Sequence, residues 1–161
     1  MFTNKVSGVR MGEGNQALPH ASEIITSKGV RVIMSAIQYE GIHHTAIVVT
    51  DLERAKKFYG ELLGLTESRD RPAFEFGGAW YEIGSMQIHL IVHEGARTLR
   101  NTTAIDSRDG HFAIRVKEMQ PVLERLKRFG VSFRDNPNSI TGWHQVFVTD
   151  PDGNVIEFNA G

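Results

Sequence analysis

His44-Thr45-Ala46-Ile47-Val48-Val49 and His111-Phe112-Ala113-Ile114-Arg115-Val116 are the stretches that decide the fold. Both read His-x-Ala-Ile-x-Val, and both run into an amphipathic segment that ends on glycine. Gly64 follows His44 by 20 positions and Gly130 follows His111 by 19. Self-similarity on that scale marks a duplicated supersecondary unit. Each hexapeptide is short, apolar and rich in β-branched residues, the character of a strand. Thr50-x-x-Glu53 reads as a capping box, so a helix is predicted from Asp51. Leu52, Ala55, Phe58, Tyr59 and Leu62 form its apolar stripe, and Gly64 suits the left-handed position that ends it. In the second copy the stripe is Met119, Val122, Leu123, Leu126 and Phe129, with Pro121 near the start and Gly130 at the close.

Working outward, three strand-like runs follow each helix. They fall near 65–69, 74–83 and 87–92 in the first copy, and near 131–134, 144–149 and 154–159 in the second. Asp150-Pro151-Asp152-Gly153-Asn154 is a strong turn signal between the last two. Each copy therefore reads β-α-β-β-β, an α+β chain of two modules at residues 41–93 and 109–161, with a polar linker at 94–108. Residues 1–40 stand apart as an N-terminal extension of uncertain structure. The run Gly12 to Gln16 is polar and glycine-rich, and no period is sustained before Met34. The segment is either an extension, an upstream start included, or an arm whose Ile24-Ile25 and Val30–Ile33 form strands on a partner copy. His20 reads as solvated.

Composition narrows the chemistry. The 161 residues are 40% hydrophobic and 23% charged, as in a soluble globular protein. Eighteen basic and 19 acidic side chains leave a net charge of −1, with no footprint for nucleic acid or an anionic membrane. No apolar run approaches the roughly 20 residues that span a bilayer, and no secretory h-region opens the chain. A cytoplasmic location is the resulting expectation. There are no cysteines, so thiolate ligands and a cysteine nucleophile are excluded, and any metal must be held by imidazole and carboxylate.

The repeat supplies a test for such a site. His44 and His111 are equivalent by position. His89 follows His44 by 45 residues and Glu157 follows His111 by 46, so those two are equivalent as well. Both are polar residues set inside apolar strands, where an unpaired group is costly. One divalent cation (Zn, Ni, Co, Mn or Fe) would satisfy His44, His89, His111 and Glu157 together. The subset His44, His111 and Glu157 is a two-His, one-carboxylate triad with open positions. Taken singly, each His is an ordinary strand-edge residue and Glu157 a solvated one; it is the paired equivalence that points to a metal. His43 should face the opposite way, because strand side chains alternate. His93 and His144 have no ligand-type counterpart in the repeat and read as surface or pocket-wall residues. Arg115 shares a face with His111, either to bind an anionic group or as a rim arginine in water. Trp80 and Trp143, with Tyr81 and Phe76, are either walls of an apolar substrate pocket or ordinary core aromatics.

The run His44-Thr-Ala-Ile-Val-Val-Thr-Asp-Leu-Glu-Arg-Ala-Lys-Lys-Phe-Tyr59, the triplet Leu63-Gly-Leu65, and Phe147-Val-Thr-Asp-Pro-Asp-Gly-Asn-Val-Ile-Glu157 resemble the vicinal oxygen chelate superfamily. That group includes glyoxalase I, methylmalonyl-CoA epimerase, fosfomycin-resistance thiol transferases, extradiol dioxygenases and bleomycin-binding proteins. The likeness covers Gly41 to Asn159. It implies a curved mixed sheet built from two modules around a metal, paired within one chain or across a homodimer. It also implies ligands on the first and last strands of each module, which match His44, His89, His111 and Glu157. The resemblance implies a small-molecule substrate chelated through adjacent oxygens, with Glu157 as the proton carrier of a lyase or isomerase acting next to a carbonyl. A ring-cleaving dioxygenase and a non-catalytic antibiotic-binding protein are the alternatives. Glyoxalase I is similar but has a carboxylate where this chain has His89, which counts against lactoylglutathione lyase chemistry.

Overall fold

In His44–Val49 the alternation of the strand sorts its side chains, with Ile47 and Val49 buried and His44, Ala46 and Val48 exposed. His111–Arg115 repeats the pattern, with Ile114 buried between exposed Ala113 and Arg115. The computed structural model, which describes residues 21–25, 27, 29, 31–35, 37–95 and 102–161, builds each module on such a strand. The elements in order are β1 Ala21–Ile25, β2 Arg31–Ser35, β3 His44–Val49, α1 Leu52–Lys56 running on as a π-helical turn Lys57–Leu62, β4 Thr66–Glu67, β5 Gly78–Ile83 and β6 Met86–Val92. The second module has β7 His111–Arg115, α2 Gln120–Arg128, β8 Phe133–Asn136, β9 His144–Thr149 and β10 Val155–Ala160.

This is an α+β chain of two βαβββ modules, each a four-stranded mixed sheet, ordered β3-β6-β5-β4 and β7-β10-β9-β8. The first and last strands of each module pair in parallel, the geometry that a helical crossover permits. The other pairings are antiparallel. Register carries the internal symmetry to the level of single residues. Ala46 lies opposite His89 and Ala113 opposite Glu157, while Trp80 and Phe147 flank the same two residues from the other neighbouring strand.

One face of each sheet is apolar and packs with the helices into a shared core. Ile47, Val49, Ile88, Leu90 and Tyr81 come from the first module, and Ile114, Val146, Val148, Ile156 and Phe158 from the second. Ala55, Phe58, Tyr59 and Leu62 join them from the first helix, and Leu123 and Leu126 from α2. Tyr81 is thus a core residue and not a pocket wall. Fully burying side chains of this size stabilises the fold by about 1.5–3 kcal/mol each. Polar bonds also tie the modules together. The Tyr59 hydroxyl donates to Asp150 Oδ2 at 2.9 Å, and Thr50 Oγ1 and Arg54 donate to Asp152 Oδ1 at 2.6 and 2.8 Å. Arg125 donates to the carbonyls of Glu61 and Leu62.

Three local details differ from the sequence reading. The cap of α1 is Asp51, whose side chain accepts from Arg54 N at 2.9 Å; Thr50 is drawn instead to Asp152 of the other module. The first helix widens after Lys56, with Leu63 N bonded to Phe58 O at 2.8 Å, an i→i+5 bond. The strand expected over 74–83 begins only at Gly78, because Arg71 donates to the Phe76 carbonyl at 2.7 Å and holds the preceding segment in a loop.

The described residues before Ile42 form a unit of their own. Within it β1 and β2 make an antiparallel hairpin, from Ala21 opposite Ser35 to Ile25 opposite Arg31. Gly29, at φ 73°, sits in its turn. The polar run 12–16 and His20 lie outside the described residues. No helix among the described residues is long and apolar enough to cross a membrane.

Candidate metal centre

On the face of the first sheet opposite the core, β3 presents His44 and β6 presents His89. Their rings stack with centroids 4.2 Å apart and planes 12° from parallel. Trp80, from the strand on the other side of β6, stacks on His89 at 4.0 Å and 7°. His89 is 8% exposed. Its Nε2 lies 2.9 Å from Gln87 Oε1, and the Gln87 amide nitrogen donates to Glu82 Oε1 at 2.9 Å. That orientation of the amide makes His89 Nε2 the donor and leaves its Nδ1 bare. Burial, then the neighbouring His44 and His43, hold the pKa of His89 below the ordinary imidazole value, with Glu82 opposing. Two parallel rings share no in-plane point, so one cation cannot take a lone pair from both His44 and His89 unless a ring turns.

The second sheet carries the equivalent pair. His111 Nε2 lies 3.1 Å from Glu157 Oε2. His111 Nδ1 lies 2.7 Å from the Asp109 carbonyl; a carbonyl only accepts, so Nδ1 carries a proton. Glu157, 5% exposed, accepts on its other oxygen from Gln145 at 3.0 Å and Asn159 at 3.3 Å. The neutral ring would therefore aim the Nε2 lone pair at a carboxylate oxygen. Two acceptors at that distance are reconciled by a proton on the ring or by a cation between or beside them. An imidazole with its tautomer set by a carbonyl and a carboxylate steadied by two amides is the donor chemistry of a divalent site, so His111 and Glu157 fit such a cation.

The four candidate ligands thus come together as two pairs, one on each sheet. Among the described residues, no three His, Asp or Glu side chains cluster in a way that would hold a metal ion. Trp80 lies at the first pair. Arg115 and Trp143 meet each other, the guanidinium 5.7 Å from the indole ring and bonded to the Gly161 carbonyl. His144 pairs with Asp135 at 2.5 Å.

Further residues stand beside these pairs. Gln87 and Asn159 stand two positions from His89 and Glu157, so the period of a strand places them on the same face; that signal was present in the sequence. Phe74 and Phe76 stack at 5.0 Å, with Arg71 over both rings and Trp80 6.1 Å from Phe74. His43 was expected to face away from His44, yet their Nδ1 atoms lie 2.8 Å apart. It precedes β3, and strand alternation does not bind it.

Residues 41–158 match the family described as Glyoxalase/Bleomycin resistance protein/Dioxygenase superfamily. The lactoylglutathione lyase of Haemophilus influenzae is 33% identical over 125 residues, covering 73% of this chain and 90% of that protein. A longer lactoylglutathione lyase of Arabidopsis thaliana is 29% identical over 71% of this chain, which spans 42% of its length. Among solved structures, a glyoxalase family protein from Bacillus anthracis aligns with a TM-score of 0.61 at 26% identity, covering 78% of this chain and 98% of that one. The fosfomycin resistance protein FosX of Listeria monocytogenes, solved with Mn(II), aligns at 0.60 and 20% identity over 77% of this chain and 94% of its own. At that identity the likeness is one of fold.

Proposed function

This chain belongs to the Glyoxalase/Bleomycin resistance protein/Dioxygenase superfamily, and from that premise we propose that it is a divalent-metal-dependent lyase or isomerase that removes a proton next to a carbonyl of a small oxygenated substrate. One observation carries the reading: His111 Nε2 and Glu157 Oε2 face each other at 3.1 Å, each steadied from behind by its own hydrogen bonds. The cation, when bound, would polarise two adjacent substrate oxygens and so ease loss of the neighbouring proton. Glu157 acts as general base through Oε2, because Oε1 stays engaged with Gln145 and Asn159. The curated relatives named as lactoylglutathione lyases support the lyase class. Their specific substrate is not carried over, since His89 stands where glyoxalase I has a carboxylate and Glu157 is left as the single carboxylate of the set.

The complete centre joins His44 of one copy, and His89 once one of the two stacked rings turns, to His111 and Glu157 of a second. Support comes from the separation of the pairs onto two sheets and from the position of β3 and β7, the strands bearing His44 and His111, at sheet edges. A homodimer would bring such edges together.

A second reading, an extradiol-type dioxygenase, draws on the stacking of His89 against His44. With His89 turned aside, His44, His111 and Glu157 leave open positions for substrate and O₂. Elemental analysis of protein purified without chelator tests both readings, followed by assays for lactoylglutathione formation, thiol addition to fosfomycin and catechol cleavage. Bound Zn, Ni, Co or Mn with lyase turnover is the expected result; bound iron with catechol turnover would select the dioxygenase. Absence of metal, with no difference between the wild type and a His44→Ala/Glu157→Ala double variant on metal titration, would remove both.

A further inference from the structure

His43 and His44 meet edge to face, with ring centroids 5.1 Å apart, planes at 85° and Nδ1 atoms 2.8 Å from each other. A pair of imidazole nitrogens at that distance shares one proton, and the side that carries it decides what His44 offers. If His43 is the donor, a neutral His44 holds its own proton on Nε2 and has no lone pair there for a cation. If His44 is the donor, its Nε2 is bare. The second module supplies the comparison from which the direction is inferred. There His111 sits at the equivalent position of the repeat, and its Nδ1 lies 2.7 Å from the Asp109 carbonyl, a group that can only accept. The same ring atom of the equivalent histidine is used in both modules, each time toward a group just upstream in the chain.

We propose that His43 is a positioning residue that accepts the Nδ1 proton of His44 and so keeps His44 Nε2 open for the metal, as the Asp109 carbonyl does for His111. The inference rests on His44 being a metal ligand. A side chain thereby takes the part that the main chain plays in the other module. Partners that set the tautomer of a ligating histidine contribute about 10- to 100-fold to metal affinity. Because His43 is exposed, replacing it opens no cavity and the fold is expected to survive.

The test uses the full-length chain, freed of metal by chelator and labelled with ¹⁵N, in buffer alkaline enough to keep the rings neutral. Long-range ¹H–¹⁵N correlation spectra, with His44 assigned by loss of its signals in His44→Ala, read which nitrogen carries the proton. Calorimetric titration with Zn²⁺ and Mn²⁺ reads affinity. In the wild type the His44 proton is on Nδ1. In His43→Ala it moves to Nε2, the form favoured in free imidazole side chains, and affinity falls about 10- to 100-fold. His43→Gln, whose carbonyl oxygen can accept, restores most of both. The proposal is overturned if the proton sits on Nε2 in the wild type, or if His43→Ala changes neither tautomer nor affinity while His44→Ala abolishes binding; the metal site itself then stands. It is overturned also if His43→Gln behaves as His43→Ala. Undiminished metal binding by His44→Ala would instead remove the metal-site reading, and this proposal with it.

Discussion

Glu157 and His111 meet at 3.1 Å inside a strand pair, and every remaining polar atom of the two side chains is engaged by a named neighbour. Glu157→Gln keeps an oxygen to accept from Gln145 and Asn159 but removes the negative charge. Calorimetry is therefore expected to show at least a tenfold loss of metal affinity, while denaturant unfolding of the metal-free protein shifts by no more than about 1 kcal/mol. A variant that still binds metal tightly would move the site away from this pair. His89 gives a second expectation. Unfolded imidazole titrates near 6.5, and burial together with His44 and His43 holds the folded group lower. Between those two values the unfolded chain binds more protons, so unfolding free energy rises with pH. The contribution of His89 is complete above about pH 6.5 and is lost as pH falls through the folded value. Urea unfolding of metal-free protein across this range should show that slope, and His89→Gln should flatten it. At this scale the sequence announced which residue types stand at equivalent positions. It was silent on ring orientation, because rotamers answer to neighbours such as Trp80 that are distant in the chain.

The helices and turns follow local rules where no other element interferes. Gly130, at φ 66°, closes α2 with its N–H on the Lys127 carbonyl and that of Val131 on the Leu126 carbonyl, the double bond of a Schellman end. A Cβ there meets nothing within 4 Å, so Gly130→Ala carries only the left-handed backbone penalty. About 1–2 kcal/mol is expected by chemical denaturation, and no measurable loss would contradict that assignment. Tyr59→Phe removes the donor to buried Asp150. It should cost about 1–3 kcal/mol, a loss that thermal and urea unfolding would both report. Gly130 was legible as a stop, since glycine alone takes that conformation without strain. The Thr50 capping box does not form because Asp152, 102 residues later, draws the Thr50 hydroxyl away. The aromatic loop 74–77 looked like strand because Phe and Gly say nothing locally of Arg71 folding back on the Phe76 carbonyl.

Assembly belongs to the molecule as a whole. If each centre takes His44 from one copy and Glu157 from another, His44→Ala and Glu157→Ala homodimers both lack every complete site. Mixing and re-pairing the two variants should regenerate one intact site in each mixed dimer, with metal binding recovering to about a quarter of the wild-type stoichiometry for random pairing of equal amounts. Sedimentation would show a dimer throughout. No recovery, in protein shown to exchange subunits, would return the site to a single chain. The amino-acid sequence by itself determined two βαβββ modules, the strand faces and the two pairs of equivalent positions that carry His44, His89, His111 and Glu157, because periods of 2.0 and 3.6 and a repeated spacing are properties of the chain alone. Only the tertiary structure decided that those four stand as two pairs on separate sheets, that His89 lies flat against His44 and Trp80, and that His43 turns toward His44. Each of these depends on side-chain rotamers or on how the sheets are placed, and neither is encoded in a local period of the chain.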